Sequence, residues 1–134
     1  MLKIKEMACA PAEVYSSLEY FHGPRYSCTP STLIVVLLSD GGQKYQLELL
    51  GKLRTLEAKI LVVCDRVTKD ISANSNYTLE LDSGLSDYGR MLLTMPLLQL
   101  FAYYRALAVG KSGWIEQMVY SPSGVPASTI VASY

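Results

Sequence analysis

Two continuous apolar runs dominate the pattern of hydrophobic and polar residues. Residues 32–38 are rich in β-branched side chains and leucine and end at a Ser-Asp-Gly-Gly turn, and residues 59–64 repeat the apolar pattern. Runs of this kind predict strands that are covered on both faces. Residues 43–56, between them, place leucines at helical spacing. The succession of strand, helix and strand predicts a right-handed βαβ unit in a parallel sheet.

Weaker patterns lie on either side of this unit. Residues 77–81 alternate over a short stretch, which predicts a third strand nearer the edge of the sheet. Residues 2–7 and 12–19 predict two helices separated by Pro11. From residue 111 onward glycine, serine and proline recur without periodicity, so we expect an irregular C-terminal tail over residues 111–134.

The longest apolar stretch, residues 91–109, predicts a long helix. Its register is expected to bend or restart at Pro96, and Gly110 is expected to close its C-terminus. The stretch approaches the length that spans a membrane, but Pro96, Gln99 and Arg105 are costly in hydrocarbon. We therefore expect a buried helix and no membrane partner.

Charge narrows the range of partners. The 12 lysines and arginines cancel the 12 aspartates and glutamates, and no run of like charge occurs along the chain. Binding of nucleic acid through electrostatic attraction is therefore not expected. Charged residues make up only 18% of the chain, against a usual share of about a quarter. A thinly charged surface indicates that part of it faces another subunit, which predicts a homo-oligomer.

The cysteines and the single histidine indicate the redox compartment and bear on whether a metal could be bound. Cys9, Cys28 and Cys64 are an odd number without C-x-x-C spacing, and the chain opens with no apolar leader segment. This pattern predicts a reducing, cytoplasmic compartment. Three scattered cysteines and one histidine do not form a clustered ligand set, so neither a metal site nor a cofactor is expected.

Several residues that could carry chemistry are uninformative when taken singly. Lys3 and Glu6 share a helical face by their spacing of three residues, which by itself predicts a solvated ion pair. His22 precedes Gly23 and Pro24, which by itself predicts a turn with an incidental histidine. Neither feature alone identifies a function.

The order and spacing of four blocks together are more specific. They resemble the second half of a SIS (sugar isomerase) domain, in particular the isomerase domain found in the glutamine–fructose-6-phosphate aminotransferase family. The resemblance covers residues 2–110, so residues 1–110 are interpreted as a partial SIS domain. The blocks are Leu2-Lys-Ile-Lys-Glu6, Ala12-Glu-Val-Tyr15, Leu18-Glu-Tyr-Phe-His-Gly-Pro24, and Pro96-Leu-Leu-Gln-Leu-Phe-Ala-Tyr-Tyr-Arg-Ala-Leu107 with Gly110.

The resemblance implies a fold and a set of catalytic roles. The expected fold is a three-layer α/β/α domain with a parallel sheet, here truncated at its N-terminal strand. Glu6 aligns with the base that moves a proton between C1 and C2 of a sugar phosphate such as fructose 6-phosphate or glucosamine 6-phosphate. His22 aligns with the group that opens the sugar ring, and in the family this histidine enters the site of a neighbouring subunit. Lys3 aligns with a lysine that could stabilise an enediolate oxygen.

Departures from the family pattern leave two functions open. The phosphate loop that precedes these blocks in the family has no counterpart here, and the family's closing P-R-N-L motif does not follow Gly110. An N-terminal cysteine nucleophile is also absent, so glutaminase activity is not expected. The chain is therefore interpreted either as a phosphosugar-binding relative of the ketose/aldose isomerases, or as a non-catalytic regulatory or subunit-interaction module.

Overall fold

The computed structural model describes residues 2–8 and 10–110; the tail predicted over residues 111–134 lies outside them. The chain divides into two compact units, Val14–Met95 and the pair of segments Met1–Glu13 and Pro96–Tyr134. The strands are β1 (Leu33–Leu37), β2 (Lys59–Cys64) and β3 (Tyr77–Glu80). The helices are α1 (Leu2–Ala8), α2 (Ser17–Tyr20), a 3-10 helix (Pro24–Ser27), α3 (Gln43–Leu53), α4 (Lys69–Ala73) and α5 (Asp87–Ala108).

The three strands form a parallel sheet in the order β1-β2-β3. Leu33 is opposite Lys59 in the first pair, and Leu61 is opposite Tyr77 in the second. All three predicted strands are therefore confirmed, and so is the α/β class with a parallel sheet. β1 and β3 are the outer strands among the residues that the structure describes.

The core of the Val14–Met95 unit lies around the central strand. Ile60 and Val62 of β2 are fully buried, as are Leu50 of α3 and Ile71 of α4, and all four belong to one hydrophobic cluster. Burial of these side chains contributes about 1.5–3 kcal/mol each relative to exposure. The two apolar runs of the sequence therefore correspond to the strand at the centre of the core and to its neighbour.

The helix predicted over residues 12–19 is wrong in its extent, because the structure begins α2 only at Ser17. Ser16 has extended backbone angles, and its hydroxyl oxygen accepts a hydrogen bond from the amide of Glu19 at 3.3 Å. A serine in this position satisfies one of the free amides at a helix start, so it favours a new N-terminus over continuation of a helix.

One further boundary and one additional helix differ from expectation. α3 ends at Leu53 rather than at residue 56. α4 was not predicted, because five residues are too few to show a helical period. Thr68 caps this short helix by accepting the amide hydrogen of Ile71 at 3.3 Å, and burial of Ile71 against the sheet stabilises it.

α5 runs without interruption from Asp87 to Ala108, so the expected restart at Pro96 does not occur. Gly110 has φ +71°, the left-handed conformation that commonly closes a helix, which confirms its predicted place. By length and composition α5 is the one helix of the described chain that could cross a membrane. Core helices of soluble proteins meet the same two criteria, so this finding alone assigns no membrane.

The expectation that this helix is buried is wrong for the single chain. Only 11% of its most apolar window is buried, and Tyr88 and Leu92 are 86% and 78% exposed. Large apolar side chains occur on successive positions around the helix, for example at Met91, Leu92 and Leu93. Exposed apolar surface of this kind commonly marks an interaction site.

The core assignment predicts a strong effect at α4. Replacing Ile71 by alanine should lower the free energy of unfolding by about 2–5 kcal/mol, because it leaves a cavity beneath a helix too short to persist alone. Urea denaturation followed by circular dichroism measures the effect. Ser72→Ala, at the next and exposed position, is the control and should change the stability by less than about 0.5 kcal/mol. Equal effects of the two substitutions would contradict the placement of the core.

Candidate functional site

A buried arginine lies at the carboxyl ends of β1 and β2, the edge of a parallel sheet where ligands commonly bind. Arg90, from the first turn of α5, is only 4% exposed. Its Nη1 is 2.9 Å from Oδ2 of Asp40 and 3.8 Å from Oδ2 of Asp65. Its Nη2 forms an ion pair with Oδ1 of Asp87. A buried guanidinium persists only when it is paired in this way. We call these four residues the Arg90 cluster.

Asp87 links the start of α5 to the loop after β1 through hydrogen bonds. Its carboxylate accepts the backbone amide hydrogen of Asp40 at 2.9 Å and that of Gly41 at 3.4 Å. These backbone hydrogen bonds, together with Arg90, hold the pKa of Asp87 below its usual value. The negative charge also lies at a helix N-terminus, where the helix dipole favours it.

Asp65 links the loop after β2 to the loop after β3 through hydrogen bonds. Its Oδ1 accepts the Ser83 hydroxyl at 2.6 Å and the Ser83 amide at 2.9 Å, and its Oδ2 accepts the Gly84 amide at 3.2 Å. The Ser83 hydrogen bonds are the main reason why the pKa of Asp65 is lowered. Gly84 has φ +62°, a conformation that favours glycine in this turn.

A cleft of about 290 Å³ opens beside the cluster and is lined by Leu38, Ser39, Asp40, Gln43, Cys64, Asp65 and Arg66. Burial, followed by the charges of Glu80 and Asp65, raises the pKa of the Cys64 thiol. The thiol is therefore protonated at neutral pH and is not an activated nucleophile. Within residues 2–8 and 10–110 no group of three or more histidine, cysteine or acidic side chains is arranged to hold a metal ion.

Lys3 and Glu6, two of the predicted site residues, lie together on α1. Nζ of Lys3 is 3.2 Å from Oε2 of Glu6, with side-chain exposures of 59% and 35%. The shared helical face predicted from their spacing is therefore confirmed. Both residues belong to the unit formed by Met1–Glu13 and Pro96–Tyr134, whereas His22 belongs to the other unit.

The His22-Gly23-Pro24 turn has a backbone reason for two of its three residues. Gly23 has φ +153° and ψ −54°, which a residue with a Cβ rarely adopts. Pro24 begins the 3-10 helix, where its missing amide hydrogen is not needed. His22 is exposed, and its imidazole makes no hydrogen bond within the described residues. The turn therefore explains the glycine and the proline but leaves the histidine available for a ligand.

The sequence reasoning missed the Arg90 cluster. Its members lie up to 50 positions apart in the chain, so no local pattern connects them. One signal was present, since Asp87 and Arg90 are charged residues three positions apart at the start of an apolar helix. The further partners of this pair become visible only when the strands are placed side by side.

A parallel α/β unit whose polar loops meet at the carboxyl ends of its strands is an architecture shared by many α/β domains. The particular family follows from sequence comparison, because the sequence profile of the SIS domain matches residues 1–109. The chain belongs to the SIS domain family, as its sequence blocks indicated.

Relatives and solved structures agree with this assignment. The chain is 31% identical to the glutamine–fructose-6-phosphate aminotransferase (isomerizing) of Buchnera aphidicola over 112 residues, which are 83% of this chain and 18% of that protein. It is 32% identical to the C-terminal domain of glucosamine-fructose-6-phosphate aminotransferase from Francisella tularensis, with a TM-score of 0.68 over 83% of this chain and 31% of the other. The chain thus spans less than a fifth of the curated aminotransferases that it matches.

The fold also extends to a second kind of enzyme. Tagatose-6-phosphate ketose/aldose isomerase from Escherichia coli superimposes with a TM-score of 0.70 at 23% identity, over 81% of this chain and 31% of that chain. At this identity the match describes the fold alone.

The Arg90 cluster predicts how stability depends on pH. The pKa values of Asp65 and Asp87 are lowered in the folded chain, so ionisation of these groups stabilises it above the unfolded pKa of about 3.9. The free energy of unfolding should therefore fall as the pH is lowered from about 5 towards 2. Asp87→Asn should reduce this slope, measured by urea denaturation at a series of pH values. Asp70→Asn, at an exposed aspartate outside the cluster, is the control; an equal change of slope in both variants would contradict the assignment.

Proposed function

We propose that this SIS domain binds a hexose 6-phosphate and contributes part of the site that moves a proton between C1 and C2 of the sugar. The observation that carries the proposal is the His22-Gly23-Pro24 turn, in which the backbone explains Gly23 and Pro24 but not the exposed imidazole. The names of the relatives, which include fructose 6-phosphate and isomerisation, support the same substrate class.

The three residues take complementary roles in this proposal. Glu6 is the base that abstracts the proton from the sugar carbon, as a carboxylate beside both carbons must do. Lys3, whose ammonium lies 3.2 Å from that carboxylate, is close enough to stabilise the enediolate oxygen that forms next to it. His22 exchanges a proton with the ring oxygen, for which an imidazole is suited near neutral pH.

A partner chain is part of the proposal. A homodimer would cover apolar side chains of α5 that are exposed in the single chain, such as Tyr88, Met91 and Leu92. It would also allow His22 of one subunit to act in the site of the other, as the family resemblance implies. We propose a cytoplasmic location for this assembly, in keeping with the free thiols of Cys28 and Cys64.

A second function is favoured by a separate observation. The chain spans 18% of the length of the curated aminotransferase that it matches. A module that binds a phosphosugar, or a sister subunit, without turnover is therefore the second candidate. Turnover and binding therefore have to be measured separately.

We predict that the 134-residue chain binds fructose 6-phosphate weakly and interconverts it with glucose 6-phosphate slowly or not at all. A positioned base contributes roughly 10²- to 10⁴-fold, whereas much of the remaining acceleration depends on a substrate that is held in place. Exchange of the C2 proton of glucose 6-phosphate for deuterium, followed by NMR, measures the residual reaction.

Glu6→Gln should abolish any exchange that is detected, and Glu57→Gln, at an exposed glutamate in a turn, is the matched control. Fast isomerisation that Glu6→Gln removes would contradict the expectation of weak turnover and establish an enzyme. Exchange that persists in Glu6→Gln would exclude Glu6 as the base.

The assembly is tested by light scattering. At tens of micromolar, concentrations that populate interfaces of moderate affinity, the mass should be at least that of a dimer. Leu92→Lys places a charge on the exposed apolar surface of α5 and should shift the chain towards the monomer. Val14→Lys, at a position 70% exposed outside α5, is the control. A monomer in the unsubstituted chain would contradict the proposed homodimer.

A further inference from the structure

The loop between β1 and α3 contains an aspartate followed by a glycine. Asp40 and Gly41 form the one Asp-Gly pair of the sequence, and no Asn-Gly pair occurs in it. In such a pair the backbone nitrogen of the glycine can attack the side-chain carbonyl carbon of the aspartate, because glycine has no Cβ to obstruct the approach. The product is a five-membered succinimide ring. The loop therefore contains the dipeptide in which aspartate isomerises most readily.

Water reaches the Asp40 side chain, and the backbone around it lies outside the helices and strands. The side chain is 68% exposed, and its Oδ1 accepts no hydrogen bond within residues 2–8 and 10–110. Asp40 and Gly41 belong to a bend and a turn. The hydrogen bond across this turn, from the Gln43 amide to the Asp40 carbonyl, is long at 3.4 Å. This loop can therefore open locally while the sheet stays intact.

Contacts of the Arg90 cluster oppose ring formation at both reacting groups. The Gly41 amide, which would be the nucleophile, donates to Oδ2 of Asp87 at 3.4 Å, and the Asp40 amide donates to Oδ1 of the same carboxylate at 2.9 Å. The Asp40 carboxylate is held by Nη1 of Arg90 at 2.9 Å. The ring forms only when the Gly41 amide leaves Asp87 and the Asp40 carboxyl group leaves Arg90. The rate of the reaction therefore depends on the strength of the cluster.

We infer that Asp40 is a site of isoaspartate formation and that the Arg90 cluster limits its rate; this inference is independent of the proposed function. The Gly41 nitrogen bonds to Cγ of Asp40, and the hydroxyl group of the protonated carboxyl leaves with the amide proton as water. Water then adds to one of the two ring carbonyls. Addition at Cγ restores aspartate, whereas addition at the backbone carbonyl carbon gives isoaspartate. Nothing is oxidised or reduced, and water is the only co-reactant.

Isoaspartate at this position would change the edge of the sheet that the cluster orders. The backbone would gain one carbon atom, and the carboxylate would be attached directly to Cα. Asp40 lines the cleft and pairs with Arg90. The modification would therefore alter the wall of the cleft and the ion pair between the loop after β1 and the first turn of α5.

The test incubates the full 134-residue chain at neutral pH and physiological temperature. Isoaspartate is quantified over time by enzymatic methylation of isoaspartyl residues and is located by chromatography and sequencing of the peptide that contains residue 40. Isoaspartate should accumulate there. Asp87→Ala removes the acceptor of the Gly41 amide and should raise the rate about 5-fold, the factor expected for loss of one typical hydrogen bond.

Three further variants separate the local chemistry from general loss of stability. Gly41→Ala should fold, since a Cβ at this position would meet only Oδ2 of Asp87, at 3.8 Å, but its methyl group should slow the attack strongly. Ile71→Ala destabilises the core away from the loop and should leave the rate unchanged while the chain stays folded, as judged by circular dichroism. Asp87→Asn keeps one acceptor oxygen, so it should give a smaller increase, and it serves if Asp87→Ala does not fold.

Three contrary outcomes would overturn the inference. Isoaspartate that forms at residue 40 only in the urea-unfolded chain would show that the folded loop does not react. An equal increase in Ile71→Ala and in the folded Asp87 variant would show that general unfolding, rather than the Arg90 cluster, limits the rate. An unchanged rate in Gly41→Ala would exclude attack by the nitrogen of residue 41 as the slow step.

Discussion

The interaction on which the strand ends depend is the pairing of Arg90 with three aspartates. Asp40 follows β1, Asp65 follows β2, and Asp87 begins α5 after β3, so one side chain joins the connections that leave all three strands. The carboxyl ends of parallel strands form a cleft only if the loops beyond them are fixed. Arg90 is almost fully buried, so loss of one carboxylate would leave its charge partly uncompensated. The positions of all three aspartates, and of the loops that carry them, therefore depend on one another.

The same physical rule makes Arg90 a structural residue. Arg90 has taken its counter-ions from within the chain, and Asp65 and Asp87 also accept backbone amide hydrogens, so their charges already have partners. The cluster therefore fixes loops, although a cleft opens beside it.

Prediction from sequence succeeded where the information is local and strong. The apolar runs of β1 and β2 and the leucines of α3 each define an element by their own period, and the face shared by Lys3 and Glu6 follows from a spacing of three. It failed where a tertiary contact decides: α4 exists because Ile71 is buried against β2, and α2 begins late because the Ser16 hydroxyl caps it. The Arg90 cluster could not be read from the sequence, since its partners are neighbours only in the folded chain.

The helix α5 carries both a part of the Arg90 cluster and an exposed apolar surface. Its first turn carries Asp87 and Arg90, whose partners lie within the Val14–Met95 unit, whereas the positions that follow expose Met91, Leu92 and Met95. A second subunit that covered these apolar residues would gain buried area without having to disturb the ion pairs that fix the strand ends. One helix can therefore hold the strand ends with its first turn and contact a second subunit with the residues that follow. In the proposed homodimer, the exposed His22 would be available to a ligand shared between subunits.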